Sequence, residues 1–514
     1  MGLAADVFRG RLTVSRMLAG MSGVKQLQGE VSSLGTERRA GTPRRLRRIK
    51  IWAVVAVTAV ALGVIAGYYN ANRETIAELP LYSEGVHVLP DGSVAAVEPG
   101  TDAQYIPGSR VLREFEQDAA SERIAQEHQD WLAQADVPGA GTPYEELAAE
   151  ALLDIHVLTG PRLYVDGEVL ETAPGASIAA WTDRWRYVWP RDAAFAATAL
   201  ARVDHTQDAL EILTFMQDAV QTQDPAQEQG FHARYLPDGS GVPDDRGIQY
   251  DGNGWLLWAA SEVLSEMDDQ AERDEAFDDL FFLIDTAARN IMELAGAPDY
   301  LPPPSPDYWE IEEQSLTLGT VASMMAGLEG VVDLYTDRGL SDEAAAAAEH
   351  LSGMREAIAE EFGERGYERY AEDNWLRRTF AARDGRDAST AMLLRPFSSD
   401  PLVGAEDAWE RSIAEMARPA GGLAPGAGWR KDGVSWTPQT SLYALAAAAN
   451  GHDDQARDLL DWLTEHRTRL GVIPEKVLAD GSPAAVAPLV WSSANVVLAV
   501  DELAEHGDSQ PGVS

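Results

Sequence analysis

Cysteine is absent from all 514 residues, which removes disulfides, thiol nucleophiles and thiolate metal sites together. Lysine is nearly absent, at four, and basic residues as a whole are scarce: 41 Lys and Arg stand against 83 Asp and Glu, a formal net charge of −42. A chain so acidic is repelled by phosphate backbones, so nucleic acid is not expected as a partner. There is no HExxH pair, P-loop, GxSxG elbow or EF-hand loop, and the nine histidines show no ligand spacing, so the site is expected to need neither metal nor organic cofactor. No tetratricopeptide or ankyrin period recurs, and no strand–helix alternation suggests a Rossmann fold or TIM barrel. What remains is 45% hydrophobic and 24% charged, enough apolar material for a large core and too much for a disordered polyelectrolyte.

Charge is distributed unevenly. Residues 1–50 hold eleven Lys and Arg against three Asp and Glu, while the rest holds 30 against 80. The break falls at IWAVVAVTAVALGVIAGYY, Ile51 to Tyr69, an uncharged run close to the ~20 residues that a helix needs to cross a ~30 Å hydrocarbon layer. Arg44, Arg45, Arg47, Arg48 and Lys50 precede it, and the positive-inside bias sets the N-terminus in the cytoplasm. The stretch after the run lacks an A-x-A-like cleavage site, so 51–69 reads as an uncleaved single-pass anchor with its main domain outside the cytoplasm. The basic tail, 1–50, needs no partner beyond anionic lipid headgroups.

Residues 70–140 read as an extracytoplasmic stem. VHVLPDGSVAAVEP suggests a hairpin turning at Asp91 and Gly92, and Glu114 to Ala135 a helix. VPGAGTP, Val137 to Pro143, is a Gly/Pro linker, and a domain over 141–508 follows. Helical periodicity there predicts twelve segments, near 144–158, 191–203, 205–219, 251–267, 272–294, 312–334, 341–364, 387–395, 404–416, 439–450, 452–467 and 491–506. Paired helices in one all-α domain fit a helical toroid. The long loops between them, such as LPPPSPDYWE and APGAGWRKDGVSWTP, have the length of functional loops.

Those loops place carboxylates beside tryptophans just ahead of helices: Trp189-Pro-Arg191-Asp192, Asp307-Tyr-Trp309-Glu310 and Pro474-Glu475, with Trp429, Arg430 and Trp436 nearby. Aromatic faces suit the C–H faces of a pyranose, and carboxylates and Arg give directional hydrogen bonds to its hydroxyls, so the pattern points to a sugar site. Hydrolysis of a glycosidic bond needs two carboxyl groups, one protonated to serve the leaving oxygen and one ionised to activate water or attack the anomeric carbon.

Taken together, five stretches resemble glycoside hydrolase family 15, the glucoamylase-type enzymes, whose fold is an (α/α)6 barrel. WRYVWPRDAAFAATAL, Trp185 to Leu200, is similar to the family segment that grips the terminal sugar, which implies that role for Arg191 and Asp192, with Trp185, Tyr187 and Trp189 beside them. QYDGNGWLLWA, Gln249 to Ala259, is similar to the next loop–helix junction and would put Asp251 in the substrate rim. DYWEIEEQSLTLGTVASMMAGLEG, Asp307 to Gly330, implies Glu310 as general acid. VIPEKVLADGSPAAVAPLVWSSANVVLAV, Val472 to Val500, implies Glu475 as general base of an inverting mechanism, and GWRKDGVSWTPQTSLYALAAA, Gly428 to Ala448, implies Arg430 as a further substrate-binding arginine. The resemblance covers Leu163 to about Glu505 and implies an exo-acting hydrolase of α-linked glucosides, with an oligo- or polysaccharide as substrate.

The sequence departs from the family at two places. Ile311 follows Glu310 where many starch-acting members have a second Glu, and GSGVPDDRG stands where those members carry a Trp upstream of the Gln249 loop. Both fall on the leaving-group side, so a change of substrate to trehalose, isomaltosides, dextran or an envelope polysaccharide stays open, as does a non-catalytic glycan-binding scaffold. Locally, Asp192 also reads as a helix-first-turn acid, Glu312 and Glu313 as solvated first-turn acids, and Glu475 with Lys476 as a surface ion pair. Trp181, Trp185, Trp189, Trp309, Trp429, Trp436 and Trp491 are expected at a pocket; Trp131, Trp258, Trp375, Trp409 and Trp462 are expected in the core.

Overall fold

The computed structural model describes residues 73–222, 230–372 and 383–508, with nine scattered positions between 52 and 66. The chain divides into two compact units, Met1–Tyr68 and Tyr69–Ser514. In the first, the described positions are helical and exposed, Trp52, Val55, Leu62 and Ile65 among them. No helix among the described residues is long and apolar enough to cross a membrane. The tail 1–50 lies entirely, and the expected span 51–69 mostly, outside the described residues.

The second unit opens with a hairpin, β1 (Gly85–Val88) and β2 (Ser93–Val97), as the DG turn predicts. Helix α1 (Ala119–Leu132) starts at Asp118, whose carboxylate accepts from the N–H groups of Ala120 and Ser121. After the linker comes α2 (Glu145–Val157), then β3 (Arg162–Val165) and β4 (Glu168–Leu170). These strands extend the hairpin into a sheet of order β1-β2-β3-β4, with β3 parallel to β2.

Among the described residues, eleven further elements complete the ring: α3 (Pro190–Ala201), α4 (Thr206–Gln221), α5 (Asp251–Ser265), α6 (Gln270–Leu294), α7 (Leu318–Asp337), α8 (Ser341–Glu361), a 3-10 turn over Ala388–Leu393, α9 (Ala405–Met416), α10 (Thr437–Ala449), α11 (Asp453–Glu465) and α12 (Val490–Asp508). Inner elements pack side by side in the order α3, α5, α7, 3-10 turn, α10, α12, and α12 returns to α3, closing the circle. Each is backed by an outer helix adjacent in sequence, or by α2 in the case of α12.

Composition decides which helix goes inside. In α3 and α10 every residue is buried, and both are rich in alanine, so neighbours approach closely without a polar face to hydrate. The outer α8 buries only Ala347, Met354 and Ile358 and turns its acids to water. Between α5 and α7 glycine permits contact of the backbones themselves: a Cβ on Gly254 would meet the Ser323 carbonyl oxygen at 2.0 Å, and one on Gly327 the Gly254 carbonyl oxygen at 2.7 Å.

Most expected helices stand within a few residues of their sequence bounds; two differ. The segment expected over 312–334 becomes helical only at Leu318, because Thr317 caps it by accepting from Thr320 N–H and the residues ahead are tied elsewhere. Glu313 bonds Arg369 and the Tyr370 hydroxyl instead of water. The segment over 387–395 is a 3-10 turn: Asp387 accepts from Ser389 N–H, and Thr390 Oγ1 bonds the Asp387 carbonyl, the Ser412 hydroxyl and the Tyr443 hydroxyl. Such side-chain bonding competes with a regular helical ladder.

The segment expected as a stem is, in its described part, built into this unit. Val86, Val88 and Val94 join the main core, while Val97 and Leu112 pack with Leu470 and Val472. Tyr82 N–H donates to the Ala485 carbonyl at 2.7 Å, Ala485 N–H to the Pro80 carbonyl at 2.9 Å, and Ser83 Oγ to the Ala487 carbonyl at 2.8 Å. Its alternating apolar residues are strand residues needing a partner, and the ring supplies one.

Candidate active site

The loops that lead into α3, α7, α10 and α12 converge on one pocket of about 300 Å³. Trp185, Trp189, Trp309, Trp429, Trp436 and Trp491 line it, six of the seven expected there. Trp181 is turned away and donates its Nε1–H to the Val94 carbonyl. Of the tryptophans expected in the core, Trp258, Trp409 and Trp462 are buried and Trp131 packs at the core's edge, whereas Trp375 lies outside the described residues. The indole N–H groups of Trp189, Trp309, Trp429, Trp436 and Trp491 find no acceptor among the described residues, leaving a wall of aromatic faces and unspent donors.

At the start of α3, where Pro190 supplies a preformed first turn, Arg191 and Asp192 enter the pocket, 6% and 4% exposed. The Arg191 guanidinium lies 4.7 Å over the Trp491 ring and reaches Asp192 at 3.5 Å, Asp251 at 3.6 Å and Glu310 at 3.4 Å. Burial pushes the Asp192 carboxyl up to about 6, against the pull of Arg191 and with the push of Glu310. The same cause takes Asp251 to about 7. Asp251, at the head of α5, was expected in the substrate rim; it sits behind Arg191, does not line the pocket and holds the guanidinium from the rear.

Glu310 occupies a turn built for it. Asp307 Oδ1 accepts from Trp309 N–H at 2.9 Å, its carbonyl accepts from Glu310 N–H at 2.7 Å, and Glu310 stands at φ +50°, a left-handed conformation uncommon for a residue with a Cβ. Arg369 fixes that turn from below. It is 1% exposed, pairs with Asp307, Glu313 and Asp387 at 2.8, 2.9 and 2.6 Å, and stacks 3.8 Å under the Trp309 ring. One Glu310 oxygen faces Arg191; the other is paired with Arg246.

Glu475 is anchored through its backbone. Its N–H donates to the Val486 carbonyl at 2.8 Å and its carbonyl accepts from Thr437 N–H at 3.0 Å. The sheet of β5 (Ser435–Trp436), β6 (Lys476–Val477) and β7 (Pro483–Ala484) places it beside the start of α10, 7% exposed. Lys476 meets its Oε2 at 3.1 Å and lies 4.1 Å over Trp436. The pair expected as a surface salt bridge is therefore in the pocket wall.

Two other expected residues lie outside the lining. Arg430 is exposed and, among the described residues, lies 5.5 Å over the Trp429 ring, and Tyr187 stacks under Arg234 at 4.5 Å behind the wall. Sequence reading missed Arg234, Arg246, Arg369 and Lys476 as site residues. For Arg246 a signal existed: it belongs to the GSGVPDDRG departure, and the structure turns that departure toward Glu310.

Comparison with known proteins agrees with this architecture. Residues 164–413 match the sequence model of Glycosyl hydrolases family 15. Among solved structures, a wild-type glycosidase is 20% identical over 70% of this chain and 96% of its own, with TM-score 0.53. A bacterial glucoamylase complexed with acarbose is 16% identical over 75% of this chain and 59% of its own, with TM-score 0.58. The glucoamylase of Saccharomycopsis fibuligera is 15% identical over 73% and 98%, with TM-score 0.56. At such identities these likenesses establish the fold. No curated protein matches the chain. The family match over 164–413 and the closed ring of helices mark this chain as a glycoside hydrolase on an (α/α)6 toroid, similar over that stretch to family 15.

Proposed function

We propose that the enzyme is an inverting exo-hydrolase that releases glucose from the non-reducing ends of α-linked glucosides. The observation that carries this reading is the meeting of Glu310 and Glu475, 165 residues apart in sequence, in one tryptophan-walled pocket. The terminal sugar packs its C–H faces on the indoles, while Arg191 donates to its hydroxyls and Asp192 accepts from them. Glu310 gives its proton to the glycosidic oxygen as the bond to the anomeric carbon breaks. Glu475 takes a proton from the water whose oxygen attacks that carbon from the other face. Exchange with solvent then restores both carboxyls, and the net reaction is hydrolysis.

The experiment is an anomeric NMR time course of the protein with maltotriose, isomaltotriose, panose and trehalose. β-Glucose appearing first from one of them is expected and names the linkage; α-glucose first contradicts the two assigned roles. Glu310→Gln and Glu475→Gln are each expected to lower kcat at least ~100-fold with an unchanged far-UV CD spectrum. Near-native turnover in either variant removes that residue from the mechanism.

We also infer that the protein is a single-pass membrane protein with a cytoplasmic N-terminus and an extracytoplasmic catalytic domain. The uncharged run 51–69 and the arginines before it support this. Protease added to intact cells should remove the catalytic domain from a membrane-retained stub. A catalytic domain that resists until the cells are lysed places it on the other side.

A further inference from the structure

Each proposed catalytic carboxylate carries its own cation. Glu475 Oε2 has Lys476 at 3.1 Å, and Glu310 Oε2 has Arg246. The lining as a whole holds Arg184, Arg191, Arg234, Arg246 and Lys476 against Asp192, Glu310 and Glu475, an excess of positive charge inside a protein whose net charge is −42. A pocket that concentrates one sign against the charge of its own molecule is tuned to a ligand of the opposite sign.

The arginines differ in how firmly they are held. Arg191 is clamped by Asp192, Asp251 and the Trp491 ring, and its side chain is 7% exposed. Arg246 is 35% exposed, and among the described residues its ion-pair partner beside Glu310 is Asp244 at 3.5 Å, which Arg234 already occupies. Arg246 covers the Glu310 oxygen that Arg191 does not. For Glu310 to reach a glycosidic oxygen with that atom, Arg246 must move, and it will move at least cost when offered another anion. A neutral aglycone offers none.

We propose that the substrate is a glucoside whose aglycone carries a carboxylate or phosphate, and that this group pairs with Arg246, drawing it off Glu310 Oε2 as the glycosidic oxygen arrives. The proposal rests on the reading of Glu310 as general acid, because that role sets Arg246 on the aglycone side. It makes Arg246 a specificity-determining residue. The bond-breaking step is unchanged: the proton still passes from Glu310 to the leaving oxygen.

The test compares maltose with maltobionate and maltose 1-phosphate, a neutral, carboxylate and phosphate series, on the full-length protein, with maltitol as the neutral open-chain reference for maltobionate. The kcat/KM for at least one anionic probe is expected to exceed that for maltose tenfold or more, and R246Q should bring the ratio to within threefold of unity, with R246K keeping part of it. Which probe leads tells carboxylate from phosphate. Equal kcat/KM across the series, or a preference untouched by R246Q, overturns the proposal. Calorimetric binding of the three probes to the full-length protein and to R246Q, each also carrying E475Q, decides the matter independently of turnover. If nothing is hydrolysed, the catalytic reading falls. Tighter anion binding that vanishes in R246Q still supports the charge selection, and equal affinities end it.

Discussion

Asp192 illustrates how burial and pairing divide labour at a single residue. The carboxyl is 4% exposed, and desolvation outweighs the Arg191 guanidinium beside it, so it titrates at about 6 rather than near 4. Above that pH both oxygens accept hydrogen bonds, as its proposed contact with sugar hydroxyls requires; below it, one oxygen carries a proton. The acid limb of kcat/KM is therefore expected near pH 6, and Asp192→Asn should remove the limb while lowering the plateau ~100-fold or more. The linkage to stability has a definite sign. A carboxyl whose folded pKa is raised contributes stability that is present below about 4 and is lost as pH rises through about 6. The melting-temperature gap between Asp192→Asn and the parent should accordingly shift in favour of the variant from pH 4 to pH 7. A gap constant with pH would show that the folded carboxyl titrates as it does in the unfolded chain, with no upward shift.

At this scale the sequence revealed the residues that occur in contiguous strings. Trp189, Arg191 and Asp192 stand together, as do Trp309 and Glu310, so chemistry could be read from spacing. Arg369 was illegible for the opposite reason: it joins Asp307 across 62 residues, and nothing local distinguishes it from a solvated arginine. Arg246 joins Glu310 across 64 residues, and its only local mark is the departure from the family pattern in which it stands. Asp251 and Arg430 show the converse: the motif brings each to the neighbourhood, while the backbone sets one behind Arg191 and the other toward solvent.

Among the elements, the α5–α7 pair bears the closest packing demand. Gly254 faces Ser323 and Gly327 faces Gly254, so the two inner helices touch backbone to backbone. Neither helix can move outward without disturbing Asp251 at the head of α5 and the Glu310 turn ahead of α7. Gly254→Ala gains helix propensity of ~1 kcal/mol, yet its methyl would have to displace a backbone carbonyl, and overpacking of that kind costs about 3 kcal/mol or more. A net loss of at least ~2 kcal/mol in urea unfolding is expected; a stabilised variant would show that the helices have room to separate. Helices as such were legible because their apolar residues recur at helical spacing. Their starts were less so where a loop acid had a partner elsewhere, as Glu313 has in Arg369, or where side chains bonded their own backbone, as Asp387 and Thr390 do.

For the molecule as a whole, the question is what holds the last loop, and with it Glu475, against the ring. The hairpin of β6 and β7 emerges from the ring with Val486 bonded to Glu475, and the chain ahead of β1 seals its outer side through Pro80, Tyr82 and Ser83. That lead-in buries Val86, Val88, Val94, Val97, Val111 and Leu112. At roughly 1.5–3 kcal/mol for each fully buried side chain, their removal costs about as much as the ~5–15 kcal/mol by which a domain is stable. Read from sequence the same stretch is a tether, since a hairpin and a helix ahead of a Gly/Pro linker carry no sign of where they dock. Deleting residues 73–112 from the full chain is therefore expected to abolish the cooperative thermal transition and the turnover together, measured by circular dichroism and glucose release. A deletion variant that melts cooperatively at the parent temperature would restore the tether and would leave the Glu475 loop held by α10 and α12 alone. An intact melt with lost turnover would divide the roles differently, with the ring folding by itself and the lead-in serving to place the base.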